Sequence, residues 1–328
     1  MVSRAGLAPL VAPQDTPGPM TRKVVDAALM LDVIAGFDEK DPYTMAAVVA
    51  GKPRGGSYAA NLNRNSMQRA KLGVLRSVFG AESTPEYKEV NEVIRRALDI
   101  LRKRGTTVID IEIAGLDGLI AASSLYDIRS RSDLDRFLAT KRPGLTCHQM
   151  LIDRQYRPSC DLFEDLARGP EDPTQDLRYA SRIEAQLEFQ RAAMQTIETH
   201  QLDAIVFPDA KIAAPLTSDV LEGRWPALQF PINTLIASQA RLPAVTVPVG
   251  LTEGGLPVGL ELVGLLYREQ HLLDLAYGVE AFVEFNGAPN FGEESQKVEQ
   301  GSKKKCRTTW RNSWKHWWKR LGKNQRKD

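Results

Sequence analysis

The stretch Asp15-Thr16-Pro17-Gly18-Pro19-Met20-Thr21-Arg22, with the run Val24-Val25-Asp26-Ala27-Ala28-Leu29-Met30-Leu31 behind it, sets the reading of the whole chain. Two prolines and a glycine keep residues 17–19 irregular. Thr21 is placed to cap a helix. Val24, Ala28, Leu31 and Ala35 recur at i, i+4, i+7 and i+11, which predicts one apolar helical face reaching about Ala35. Gly36 offers a left-handed residue to stop that helix, and residues 38–42 read as a turn. Before this helix, residues 5–20 form a Pro-, Gly- and Ala-rich entry; after it, residues 50–66 read as a polar loop.

Further along, alternation between strand and helix patterns predicts an α/β fold. Lys71-Leu72-Gly73-Val74-Leu75 is a short strand. Thr84-Pro85-Glu86 then combines a capping threonine, a proline at the first helical position and an early acid. Val90, Val93, Ile94, Ala97, Leu98 and Leu101 carry the helical period to Gly105, and residues 106–111 read as the next strand. Strand, helix, strand in this order implies a parallel pair. Residues 115–176 carry helical fragments near 119–125 and 134–138. A long helix is expected over 177–200. Asp203-Ala204-Ile205-Val206-Phe207-Pro208 reads as a buried strand ended by proline. Ala244-Val245-Thr246-Val247-Pro248-Val249 and Leu256-Pro257-Val258-Gly259-Leu260-Glu261-Leu262-Val263 flank Gly254-Gly255, a hairpin pattern. A last helix spans 268–282.

The totals bound the class. At 328 residues, with 43% hydrophobic and 26% charged residues, the chain suits one large α/β domain or two smaller ones in a soluble protein. The net charge of +2 conceals an asymmetry, because residues 301–328 hold eleven Lys and Arg against one Asp. Three cysteines, Cys147, Cys160 and Cys306, build no disulfide framework, and a reduced protein is expected. No apolar run approaches the ~20 residues of a membrane-spanning helix. The N-terminus lacks the apolar stretch of a secretory signal, so a cytoplasmic location is expected; a truncated start would hide any targeting segment.

Three blocks carry a resemblance. They are residues 15–42, the strand–helix–strand region 71–111, and the closing region from Asp203 through Leu242-Pro243-Ala244-Val245-Thr246-Val247-Pro248-Val249-Gly250 to Gly255-Leu256-Pro257-Val258-Gly259-Leu260-Glu261-Leu262-Val263-Gly264. In order and spacing the chain resembles the amidase signature family over roughly residues 3–283. The resemblance implies a twisted mixed sheet covered by helices, here N-terminally truncated, and hydrolysis of a small-molecule carboxamide to acid and amine or ammonia without a cofactor. It implies domain limits of 1–283 for a partial amidase domain, 284–302 for a linker and 303–328 for a basic, Trp-rich tail.

Amide cleavage at neutral pH needs an activated nucleophile and a site for the oxyanion. The resemblance implies a serine activated through a second serine by a neutral lysine, all preceding Ser3, so no residue of this chain is assigned a catalytic role and the chain is expected to be inactive. Gly55-Gly56-Ser57 mimics a Gly/Ser nucleophile loop but falls where the family has a variable linker. Ser123-Ser124 sits in an apolar helical context and reads as packing or capping. Cys147-His148 are sequence neighbours whose side chains diverge. His200 lies at a helix end and His271 in the last helix, and neither makes a metal-ligand spacing. No phosphate-binding loop is present. By position in the motif, Thr234, Ser238 and Gln239 either face substrate or cap turns. Arg241 stands where the family most often has glycine, and either contacts a carboxylate or points outward.

The tail supports a competing reading, a non-catalytic binding protein. Trp310, Trp314, Trp317 and Trp318 fall at i, i+4, i+7 and i+8 beside Arg311, Lys315 and Lys319. On a helix this stripe suits an anionic membrane surface or an acidic partner, or nonspecific nucleic-acid contact; no specific nucleic acid is implied. The abrupt change of composition equally fits translation through an intron or a shifted frame.

Overall fold

The computed structural model describes residues 1–156, 161–285 and 287. Cys160, Cys306, the linker expected beyond residue 287 and the Trp-rich tail lie outside the described residues. Residues Met1–Asn286 form one compact unit. It opens with helices α1 (Val24–Ile34) and α2 (Met45–Ala50), then strand β1 (Lys71–Leu75), helix α3 (Pro85–Lys103) and strand β2 (Thr107–Ile111). Helices α4 (Leu116–Ser123), α5 (Tyr126–Lys141), α6 (Cys147–Ile152), α7 (Asp161–Arg168) and α8 (Tyr179–His200) follow. The unit closes with β3 (Ala204–Pro208), α9 (Thr217–Leu221), α10 (Leu235–Ala240), the hairpin β4 (Ala244–Leu251) and β5 (Pro257–Val263), and α11 (Glu269–Val283).

The five strands form one mixed sheet in the order β2-β1-β3-β5-β4. β1 runs parallel to β2, as the strand–helix–strand pattern predicts, and it also runs parallel to β3. β3 meets β5 antiparallel, and β5 meets β4 antiparallel. The hairpin turns at Gly255, whose φ of +78° is the left-handed conformation that favours glycine. β4 is an edge among the described strands, and its pairing shifts register between Pro248 and Gly250.

Period-2 alternation sends the strand side chains to two cores. On one face Leu72, Val74, Val206, Leu260 and Leu262 pack with α3, α11 and Ala28 of α1. On the other, Ile205, Phe207 and Val263 pack with Phe189, Ala193 and Ile197 of α8 and with Ile236 of α10. Because both faces of β3 are covered, all five of its residues are buried, and the continuous apolar run 204–208 follows. Phe189 and Phe207 are fully buried, each stabilising by ~1.5–3 kcal/mol relative to exposure.

Two local expectations at the decisive stretch are corrected. The first helix starts at Val24 with Lys23 as its N-cap residue, not Thr21. Thr21 Oγ1 instead donates to the Lys23 carbonyl at 2.7 Å. The Val24 amide is satisfied from a distant element, donating to Glu280 Oε2 of α11 at 2.7 Å, an anion at the positive end of the helix. Nor does Gly36 end the helix in a left-handed turn; the chain leaves in extended conformation at Ala35, with φ −81° and ψ 132°. The outer side of α1 keeps Leu29 and Val33 exposed. On β4, Ala244, Thr246 and Pro248 are exposed while Val247 and Val249 are buried.

Candidate functional site

The segment after β3 is pinned to the sheet by one amide side chain. Asn233, 4% exposed, donates through Nδ2 to the carbonyls of Pro208 at 2.7 Å and Val78 at 3.1 Å. Its backbone amide donates to the Asp209 carbonyl at 2.9 Å. These bonds hold the start of α10 against the C-terminal end of β3. Asn233, between Ile232 and Thr234, carries no signal of its burial in the sequence.

The four residues expected in a substrate pocket separate. Thr234 is exposed, and Ser238 and Arg241 are half-buried. Thr234 is the N-cap residue of α10, Ser238 lies within the helix, and Arg241 follows its last residue in a left-handed conformation. Gln239 is 3% exposed, and Ser123 Oγ lies 2.9 Å from its Oε1. Arg241 does not simply point outward: its Nη2 donates to Oε1 of the buried Gln186 at 2.6 Å. Gln186 Nε2 in turn donates to the Ser123 carbonyl at 3.1 Å, closing a polar network between α4, α8 and α10. Arg241 Nε is buried without a partner, a cost of ~1–3 kcal/mol. Arg241 also sits at φ +53°, where glycine avoids the Cβ penalty, which is the physical reason a small residue suits this position.

A second set of polar groups meets at the end of β3. Glu261 of β5 pairs across the sheet with Phe207 on one side and Thr246 on the other. It is 2% exposed, and its Oε2 has no partner. Burial first, then the adjacent Asp209 carboxylate, pushes its pKa up to about 9. Thr246 Oγ1 donates to Asp209 Oδ1 at 3.2 Å. Gly259 makes this approach possible: a Cβ there would meet Thr246 Cγ2 at 2.4 Å and Asp209 Cβ at 3.5 Å. Asp209 and Gly259 line an open cavity of about 150 Å³ with Val90, Ala210, Ile212 and Val258. The sequence reading treated Glu261 only as part of a strand pattern; a lone acid among apolar residues of a central strand was the available sign.

The remaining chemistry-bearing residues are committed elsewhere. Ser57 Oγ donates to Asp32 Oδ2 at 2.6 Å. The buried Ser123 hydroxyl donates to the Leu119 carbonyl at 2.6 Å. Cys147 is a free, buried thiol, its pKa pushed up to about 12 by burial and by the neighbouring Asp135, while His148 is exposed. His271 Nε2 lies 3.1 Å from Asp203 Oδ1, which tethers α11 to the start of β3. Among the described residues no group of three or more His, Cys, Asp or Glu could hold a metal ion, and no helix is long and apolar enough to cross a membrane.

The mixed sheet, its two helical layers and the closing hairpin have counterparts among known proteins. The sequence profile of the Amidase family matches residues 1–273. The chain belongs to the amidase family. A glutamyl-tRNA(Gln) amidotransferase subunit from Myxococcus xanthus (strain DK1622) is 29% identical over 293 residues, covering 85% of this chain and 57% of that protein. Its namesake from Nitratidesulfovibrio vulgaris (strain DP4) is 31% identical over 295 residues, covering 84% of this chain and 56% of that protein. Among solved amidases, the native peptide amidase from Stenotrophomonas maltophilia superposes with a TM-score of 0.69 at 28% identity, covering 88% of this chain and 58% of that one. The chain thus spans somewhat over half the length of these amidase relatives.

Proposed function

We propose that this chain is part of a carboxamide hydrolase, and that its 328 residues do not cleave an amide by themselves. The observation that carries the proposal is the family match over residues 1–273 in a chain whose candidate serines lack a base. The Ser57 partner, Asp32, also accepts from the backbone amides of Tyr58 and Ala59. A carboxylate held by three donors is a stabilised anion and a weak proton acceptor. Ser123 is 0% exposed and engaged with a backbone carbonyl, so no substrate carbonyl can reach it. The Thr234 and Ser238 hydroxyls on α10, ahead of β4, supply donors suited to orienting a polar substrate.

The test is turnover of a simple carboxamide by the purified chain, alongside Ser57→Ala and Ser123→Ala/Ser124→Ala variants. No release of acid above background is expected from any of them. Turnover lost in Ser57→Ala would make Ser57 the nucleophile and overturn the proposal. Turnover that survives both variants would place working machinery elsewhere in the chain, with the same consequence.

A further inference from the structure

We propose that the outer face of α1 is a dimer interface, on which a second copy of this chain docks its own α1 antiparallel. Helix α1 holds nine apolar residues and two aspartates. A helix that is apolar nearly all round belongs in a protein interior. In this unit only Val24 and Ala28 of α1 are buried. Val25, Leu29, Met30, Val33 and Ile34 are exposed, Val33 by 83%. Val25, Leu29 and Val33 recur at i, i+4 and i+8, with Met30 and Ile34 alongside, so the five form one stripe. Asp32, at its margin, is held by the Ser57 hydroxyl, and Asp26 stands at the N-terminal end. Phe37, exposed just past the helix, lengthens the stripe.

The area fits a pair of chains. Apolar residues scattered singly over a surface are ordinary, but this stripe with Phe37 exposes on the order of 600 Å², the size of the largest patches on typical monomers. Two copies joined there would bury about 1,200 Å², which reaches the range of specific protein–protein interfaces.

Charge selects a second copy and sets its direction. Arg22 is exposed ahead of the stripe; beyond its far end, Asp38 and the exposed Glu39 outweigh Lys40. Helix α1 has an acid in its first turn but no basic residue in its last. A second α1 laid antiparallel across Leu29 and Met30 brings the partner's Arg22 to that bare carboxyl end, where a cation is stabilising, and towards Glu39. The same contacts recur on the other side of the two-fold axis, as an isologous pairing requires. A parallel pairing would set Arg22 against Arg22 and like helix ends together. No catalytic group takes part, so the pairing stands or falls apart from the proposed hydrolysis.

Sedimentation velocity of the full chain at about 1–50 μM tests this directly. A species of twice 36.4 kDa is expected, in reversible exchange with monomer. Val33→Asp should raise the dimer dissociation constant about tenfold or more. Because Val33 is exposed, that variant should melt like the parent chain by circular dichroism. Leu177→Asp, at an exposed leucine outside α1, should leave the dimer intact. Arg22→Glu should weaken the dimer severalfold, and adding Glu39→Arg should restore it, a rescue that an apolar patch alone does not give. A monomer throughout would leave the face to another occupant, the rest of a hydrolase among them, and overturn the proposal. Growth beyond the dimer, a dimer indifferent to Val33→Asp, equal weakening by Leu177→Asp, or an Arg22→Glu defect that is absent or not reversed would each do the same.

Discussion

Replacing Glu261 by glutamine should stabilise the protein, and by an amount set by pH. Burial and Asp209 raise its pKa from 4.5 to about 9 in the folded chain. Below pH 4.5 the group is protonated in both states and contributes nothing. Between 4.5 and 9 the unfolded chain ionises while the folded one cannot, so stability falls as pH rises and levels off above about 9. At about 1.4 kcal/mol per pH unit, the ceiling on this cost is ~3 kcal/mol at pH 7 and ~5 kcal/mol at pH 8, against ~1 kcal/mol at pH 5. Glutamine has the same shape, no charge to bury and an amide that can donate to Asp209. Urea unfolding followed by far-UV circular dichroism at pH 5, 7 and 8 measures the difference between the two proteins. A gain that widens with pH is expected. A difference that stays constant from pH 5 to 8, or a variant less stable at pH 8, would refute the reasoning.

Two further outcomes follow from close contacts. Gly259→Ala should destabilise by about 1–3 kcal/mol, since its Cβ meets Thr246 Cγ2 at 2.4 Å; adding Thr246→Ser, which deletes that methyl, should recover most of the loss in the same denaturation assay. Cys147, buried with a thiol pKa near 12, should resist iodoacetamide at pH 8 in the native protein and react after unfolding, as read by peptide mass mapping.

What the residues disclose and what they withhold divides along a physical line. β1, α3 and the hairpin were legible because their periodicity is local: the apolar spacing of residues 90–101 and the Gly254-Gly255 turn need no knowledge of the rest of the chain. The start of α1 was not, because its cap is Glu280, which lies more than 250 residues away in sequence. The site residues divide in the same way. Thr234, Ser238 and Gln239 could be picked out from their place ahead of the 242–244 strand, but the Gln239 contact with Ser123 and the Arg241 contact with Gln186 are long-range pairings that no spacing encodes. Asp209 and Glu261 are 52 positions apart and meet only through the antiparallel pairing of β3 with β5.

The register shift at Pro248 has a consequence for how this protein behaves at high concentration. An exposed strand is a template on which a neighbouring chain can grow a further ladder. Proline has no amide hydrogen to offer, and the irregularity between Pro248 and Gly250 breaks the repeat that an incoming strand would have to match. Only the four residues 244–247 therefore remain as a regular docking rail, fewer than the five or six of an ordinary strand. Pro248 acts in this way as a gatekeeper against fibre growth along the hairpin, a role in solubility that is separate from any chemistry at the adjoining cavity.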